Sequence, residues 1–161
     1  MRKGIFLLLG SNIGDPAGNL RTACHEIDAR IGCIVKASSV YKTEPWGITN
    51  QPVFLNQVII AETEMNPAAL LECITAIELA MGRVRHKKWG TRIIDIDILF
   101  YGDEIIHQEN LDIPHIGIPF RRFTLEPLVE IAPDLMHPEL QKTIAGLLTE
   151  CEDRSLVERV L

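Results

Sequence analysis

Phe54-Leu55-Asn56-Gln57-Val58-Ile59-Ile60-Ala61 decides the fold. A period of two puts Phe54, Asn56, Val58 and Ile60 on one face of a strand. Downstream, Asn66-Pro67 opens a helix whose apolar stripe is Leu70, Ile74, Ile77 and Met81, and Gly82 stops it. Ile93 to Tyr101 reads as the next strand, closed by a turn at Gly102-Asp103, and Ile105-Ile106 is expected to pair back as a short edge strand. Upstream, Cys33 to Tyr41 reads as one strand. Before it, Asp15-Pro16 opens a helix carrying Leu20, Cys24, Ile27 and Ile31, with Gly32 as its stop. Gly4 to Leu9 reads as a buried first strand. The order β-α-β-β-α-β predicts an α+β fold, the ferredoxin-like split unit: an antiparallel sheet covered on one face by helices. A C-terminal extension follows, with short helices at Leu125–Ile131 and Ile144–Leu148.

The chain of 161 residues is expected to form a single domain over 1–161. Hydrophobic residues make up 47% and charged residues 24%, which excludes collagenous, coiled-coil and disordered classes. A net charge of −6 argues against a general nucleic-acid binder, which must neutralise phosphates with cations. Cys24, Cys33, Cys73 and Cys151 form no C-x-x-C pair and read as reduced, mostly buried thiols. Met1-Arg2-Lys3 before Ile5–Leu9 resembles the start of a signal peptide, but the apolar run is short and no small-residue cleavage site follows. No run approaches the roughly 20 residues of a membrane span. The expected location is the cytoplasm, and the expected state a monomer or weak homodimer.

The chemistry concentrates after the second helix. Gly82 to Arg92 holds five cations and no acid: Arg83, Arg85, Lys87, Lys88 and Arg92. Trp89 sits inside this run beside Gly90. Cations beside an aromatic suit a ligand with phosphates and a flat ring. Next comes Asp95-Ile96-Asp97-Ile98. Ile94, Ile96, Ile98 and Phe100 are expected on one face of this strand, with Asp95 and Asp97 on the other, about 6–7 Å apart. Paired carboxylates on a strand repel unless a cation lies between them, and Mg²⁺ takes one or two carboxylates plus phosphate oxygens. Glu78, on or beside the helix stripe, is either a helix-edge side chain reaching water or an acceptor within the site. Asn56 must find partners on its strand face, and its amide matches the edge of a heterocycle. Ile113-Pro114-His115 precedes Arg121-Arg122-Phe123. Lys42 to Pro52, rich in Pro and Gly, is a long loop of functional character. No P-loop, dinucleotide motif, nucleophile elbow or H-E-x-x-H occurs.

Taken together, Gly82-Arg83-Val84-Arg85, Trp89-Gly90-Thr91-Arg92 and Asp95-Ile96-Asp97-Ile98 closely resemble the signature of the 6-hydroxymethyl-7,8-dihydropterin pyrophosphokinase family. So do Gly10-Ser11-Asn12, Tyr41-Lys42-Thr43-Glu44-Pro45, Phe54-Leu55-Asn56 and Ile113-Pro114-His115, in the same order along nearly the whole chain. The resemblance implies transfer of pyrophosphate from ATP to the pterin hydroxymethyl group, with AMP released. It implies two Mg²⁺ ions held by Asp95 and Asp97, and a phosphate clamp made by Arg83 and Arg92. Arg85, Lys87, Trp89, Ile98, His115 and Arg121 fall in nucleotide-binding positions, and Glu78 accepts from the ribose side. The pterin would be read by Asn56 and stacked between Phe54 and Phe123. Asn12, Thr43, Glu44, Pro45 and Trp46 complete its pocket.

The chain also departs from the family pattern. Phe54 stands where Tyr is frequent, Glu44 where a Pro-Pro pair is usual, and Trp46 where an aliphatic is common. Thr75, Asn110, Asp112 and Ile116 replace Gln, Arg, Thr and Tyr. Two other classes fit parts of the pattern: a ferredoxin-like RNA-binding module, and a Mg²⁺-dependent phosphohydrolase using the same aspartates with water as nucleophile.

Overall fold

The computed structural model describes residues 1–44, 50–82 and 93–160. The main sheet contains β1 (Lys3–Ser11), β2 (Gly32–Ala37), β3 (Tyr41–Thr43), β4 (Phe54–Thr63), β5 (Asp95–Tyr101) and β8 (Val157–Arg159). A separate hairpin is formed by β6 (Ile106–Gln108) and β7 (Leu111–Ile113). The helices are α1 (Pro16–Arg30), α2 (Pro67–Ala80), α3 (Arg122–Ile131) and α4 (Ile144–Glu150), with a short 3-10 turn at Ile118–Phe120. The long β4 is central. It pairs antiparallel with β1 along one edge; on the other edge its first half takes β3 and its second half β2. β5 lies outside β1, and β8 lies outside β3.

The caps explain the helix starts. The Asp15 carboxylate accepts from Gly18 N–H, and the Asn66 side chain accepts from Ala69 N–H, each followed by a proline in the first turn. Gly82, at φ +92°, takes the left-handed conformation that ends α2. Gly32 has a different role from the expected helix stop. Ile31 caps α1, and Gly32 opens β2 so close to β4 that an added Cβ would lie 1.9 Å from the Glu62 carbonyl oxygen. Close backbone approach, rather than helix termination, demands glycine there.

Helices cover both faces of the sheet, which corrects the expectation of one covered face. On one face α1 and α2 lay Leu20, Ala23, Ile27, Leu70, Ile74 and Ile77 over Ile5, Leu7, Leu9, Ile59 and Ala61. On the other, α3 and α4 lay Leu125, Leu128, Ile144 and Leu147 over Leu8, Val58 and Phe100. The C-terminal extension is therefore a second core layer. Strand Cys33–Tyr41 is broken into β2 and β3, because Ser38 turns inward there and its hydroxyl accepts from Val58 N–H. Ile106 pairs with Ile113 in the β6–β7 hairpin instead of returning to the sheet.

Strand β5 contains a bulge. Leu7 faces Ile98 but Phe6 faces Phe100, so Leu99 is an extra residue. Ile94, Ile96 and Ile98 pack toward α1 and α2, as the alternation predicts, but Phe100 switches to the α3–α4 core. The four cysteines are free: Cys151 is buried, Cys24 and Cys73 are half-buried, and Cys33 is exposed, fewer buried than expected. Among the described residues, no helix is long and apolar enough to cross a membrane.

Candidate active site

The ladder registers build the site row by row. Gly10 pairs with Asn56 on β4 and with Asp95 on β5; Leu8 pairs with Val58 and with Asp97. Directly paired residues share a face of the sheet. Leu8 and Val58 lie under α3 and α4, so Asp95 and Asp97 point to that face as well. Asn56 and Asp95 then stand two strand spacings apart, about 9–10 Å, with only Gly10 between them. A Cβ on Gly10 would lie 2.6 Å from Asn56 Oδ1 and 3.8 Å from the Phe54 ring. Because position 10 has no side chain, the Asn56 amide lies over its backbone, and the candidate slot on this row is flanked by that amide, the Phe54 ring and a carboxylate. Its sequence signal is a glycine closing an apolar strand run.

Asn56 is buried, and its Nδ2 donates to Thr43 Oγ1 at 2.6 Å. This fixes the amide orientation and brings β3 to the slot. Asn12, also buried, donates from Nδ2 to Gln51 Oε1 and to the Pro52 carbonyl, each at 3.0 Å. It thus ties the end of the 42–52 loop to β1.

The bulge places the third wall. The carbonyl of Leu99 accepts from His115 N–H at 3.0 Å, which brings the Pro114–Phe123 segment against β5. The His115 Nδ1 accepts from Gly117 N–H at 3.0 Å, so the neutral ring carries its proton on Nε2. Burial pushes this imidazole down to about 4, and the Arg121 guanidinium adds to the effect. The charges of Asp95 and Asp112 oppose it, so Arg121, Asp95 and Asp112 each lie within electrostatic reach of His115. A Cβ on Gly117 would meet Arg121 Nε at 2.7 Å, so glycine lets the guanidinium lie across the turn. The Arg121 Cζ lies 5.7 Å from the Phe123 ring centroid.

Two expected nucleotide residues lie on the other side of β5. Glu78 is buried, and its Oε2 accepts from Ile96 N–H at 2.8 Å. The carboxylate therefore caps the outer edge of β5 instead of reaching water from the helix edge. The Ile98 side chain is core beneath α1 and α2. By the alternation of the ladder, the Ile98 backbone turns to the same outer edge as Ile96. Glu44 is exposed, and its Oε1 accepts from Leu156 N–H at 2.6 Å. Arg83, Arg85, Lys87, Trp89 and Arg92, and Pro45 and Trp46 of the pterin set, lie outside the described residues. No cluster of three His, Cys, Asp or Glu side chains fit for a metal occurs among the described residues.

An amide-lined slot beside two carboxylates, an arginine and a neutral imidazole marks a binder of a heterocycle and an anion. The comparisons with known proteins specify it. A family model, 7,8-dihydro-6-hydroxymethylpterin-pyrophosphokinase, matches residues 6–133. A 2-amino-4-hydroxy-6-hydroxymethyldihydropteridine pyrophosphokinase of Methylorubrum extorquens is 47% identical over 132 residues, covering 81% of this chain and 84% of its own. One from Haemophilus influenzae is 40% identical over 154 residues, covering 95% and 96%. The fold matches the crystal structure of Plasmodium falciparum HPPK-DHPS with a TM-score of 0.78 at 21% identity, over 93% of this chain and 45% of the longer one. The chain belongs to the 7,8-dihydro-6-hydroxymethylpterin-pyrophosphokinase family.

Proposed function

We propose that the row Asn56–Gly10–Asp95 is the line along which this pyrophosphokinase passes pyrophosphate from ATP to the hydroxymethyl group of 6-hydroxymethyl-7,8-dihydropterin, releasing AMP in folate synthesis. The observation that carries this reading is the shared register of Asn56 and Asp95 across Gly10. It sets a heterocycle-reading amide and a phosphate-side carboxylate on one face, at the span of a flat bicyclic ring with its hydroxymethyl arm.

The pterin lies in the Gly10 slot with its polar edge on Asn56 and its rings between Phe54 and Phe123. The Thr43 hydroxyl, which accepts from Asn56 Nδ2, keeps that amide turned toward the ligand. The triphosphate lies toward β5, where Arg121 offers a bidentate cation and His115 a neutral Nε2–H donor. The adenosine end meets the outer edge of β5 near the Ile98 backbone, whose position Glu78 secures through Ile96 N–H. Arg83, Arg85, Lys87, Trp89 and Arg92 supply the remaining phosphate and nucleotide contacts.

Asp95 and Asp97 present hard oxygen donors on one strand face, the set that Mg²⁺ takes with phosphate oxygens and water completing its shell. When bound, two such ions neutralise the transferred group and acidify the pterin hydroxyl. The aspartates hold and space the charge. One domain, as a monomer or weak homodimer in the cytoplasm, suffices for this chemistry.

Product analysis tests the reading. AMP appears only when the reduced pterin is present. Phosphate released without pterin would instead mark a hydrolase using the same aspartates. Tight, salt-sensitive RNA binding would favour the RNA-binding module.

A further inference from the structure

The last described residues cross the outside of the pocket and touch two of its walls. Asp153 Oδ2 accepts from Arg122 N–H at 3.0 Å, capping α3 beside Arg121 and Phe123. Its Oδ1 accepts from Ser155 N–H at 2.9 Å and from Ser155 Oγ at 2.7 Å. Arg122 Nη1 returns a bond to the Ser155 carbonyl at 3.3 Å. Next, Leu156 N–H donates to Glu44 Oε1 at 2.6 Å, and its carbonyl accepts from Glu44 N–H at 3.4 Å. Residues 157–159 then pair with β3, Val157 opposite Thr43 and Arg159 opposite Tyr41. The segment thus joins the start of α3, which carries Phe123, to the end of β3, which carries Thr43. The bond from Leu156 N–H depends on the glutamate side chain at 44, and the main-chain bond on any residue other than proline: a proline there would offer neither the N–H nor the carboxylate.

We propose that residues 153–159 form a strap that holds the Thr43 and Phe123 walls of the pterin pocket in register, and that Glu44 is its anchor, a positioning residue acting through the Leu156 amide rather than by touching the pterin. This rests on the assignment of Thr43, Asn56 and Phe123 to that pocket. The pair at Glu44 and Leu156 continues the β3–β8 ladder one residue past Thr43 and Val157. Asp153 and the β3–β8 ladder hold the strap on either side of it, so loss of Glu44 frees the wall without unfolding the chain. The Glu130 carboxylate gives β3 a second tie from α3, accepting from Tyr41 OH at 2.7 Å and from Ser39 N–H at 3.0 Å.

The test is a double-mutant cycle on the full chain, with Glu44→Ala, Leu156→Pro and the pair. Each single variant should raise KM for the reduced pterin about fivefold, leaving kcat and the Kd for MgATP within about twofold. The double variant should be no worse than the worse single. Glu44→Gln, whose amide oxygen still accepts, is the conservative rescue and should lower the pterin KM relative to Glu44→Ala. Amide exchange at Leu156 should be slow in the wild type and Glu44→Gln, and faster in Glu44→Ala. This measurement decides the matter even if Leu156→Pro does not fold. Additive effects in the double variant, an unchanged pterin KM in Glu44→Ala, or equal exchange at Leu156 would overturn the strap. Asn56→Ala separates the two layers of the argument. If it leaves pterin KM unchanged, the pocket assignment falls and the strap with it. If it raises pterin KM while the Glu44 variants do not, only the strap falls.

Discussion

A methyl group at position 10 would lie 2.6 Å from Asn56 Oδ1, inside van der Waals contact. Gly10→Ala must therefore displace the amide or fill the slot. The expected result is a rise in pterin KM of about tenfold or more with thermal stability nearly unchanged, measured by initial rates and melting. Asp97 is the second decisive residue. Asp97→Ala should lower turnover about a thousandfold or more while circular dichroism stays native, and near-native turnover would remove it from the phosphate machinery. His115 is a case where geometry specifies a protonation state. Its Nδ1 accepts from Gly117 N–H, and burial holds the ring down to about 4. Nitrogen-detected NMR should show a neutral ring with the proton on Nε2 from pH 8 down to pH 5. An imidazolium at pH 6 would contradict the donor role.

At the scale of elements, the sheet derives its geometry from places where strands depart from regularity. The Leu99 bulge moves Phe100 to the α3–α4 core and leaves a carbonyl that seats His115. The break at Ser38 divides one expected strand into two and lets β3 reach the slot. Glu130 of α3 holds that break: it accepts from Ser39 N–H, from Ser39 Oγ at 2.9 Å and from Tyr41 OH at 2.7 Å. Burial pushes its carboxyl up, but the hydrogen bonds from Tyr41 and Ser39 and the Arg159 charge outweigh that and hold it below its ordinary value. Glu130→Ala should lower unfolding free energy by about 1 kcal/mol, because it removes the acceptor of the part-buried Tyr41 hydroxyl and of the exposed Ser39 donors. Since the folded value is depressed, this stabilisation is present above the ordinary carboxylate range and fades as pH falls through it. Urea unfolding of wild type and variant should therefore converge on acidification. The strand boundaries and alternation were legible in the sequence. The bulge and the break were not, since both depend on partners far along the chain.

For the whole molecule, buried imidazoles set the acid limit. Burial lowers both His115 and His137; His137 packs edge-on against Phe100, with ring centroids 5.7 Å apart. A histidine held below its unfolded value of 6.5 stabilises the fold fully above that pH and loses its contribution as pH falls toward about 4. His107 acts oppositely, held up by Asp112 and by Glu139, but it is solvent-exposed and weak. Unfolding free energy should thus be lower at pH 5 than at pH 7, by about 2 kcal/mol through His115 alone. Equal values at the two pH points would sink this. By itself, the amino-acid sequence determined the family, the caps of α1 and α2, the stripes that bury them and the face shared by Asp95 and Asp97. Those features follow from short-range spacing and residue chemistry. Only the tertiary structure decided that the extension covers a second face, that Gly10 separates Asn56 from Asp95, and that Glu44 holds the C-terminal strap. Register and closure bring Leu156 to Glu44, 112 positions away, and local periodicity carries no information about such pairs.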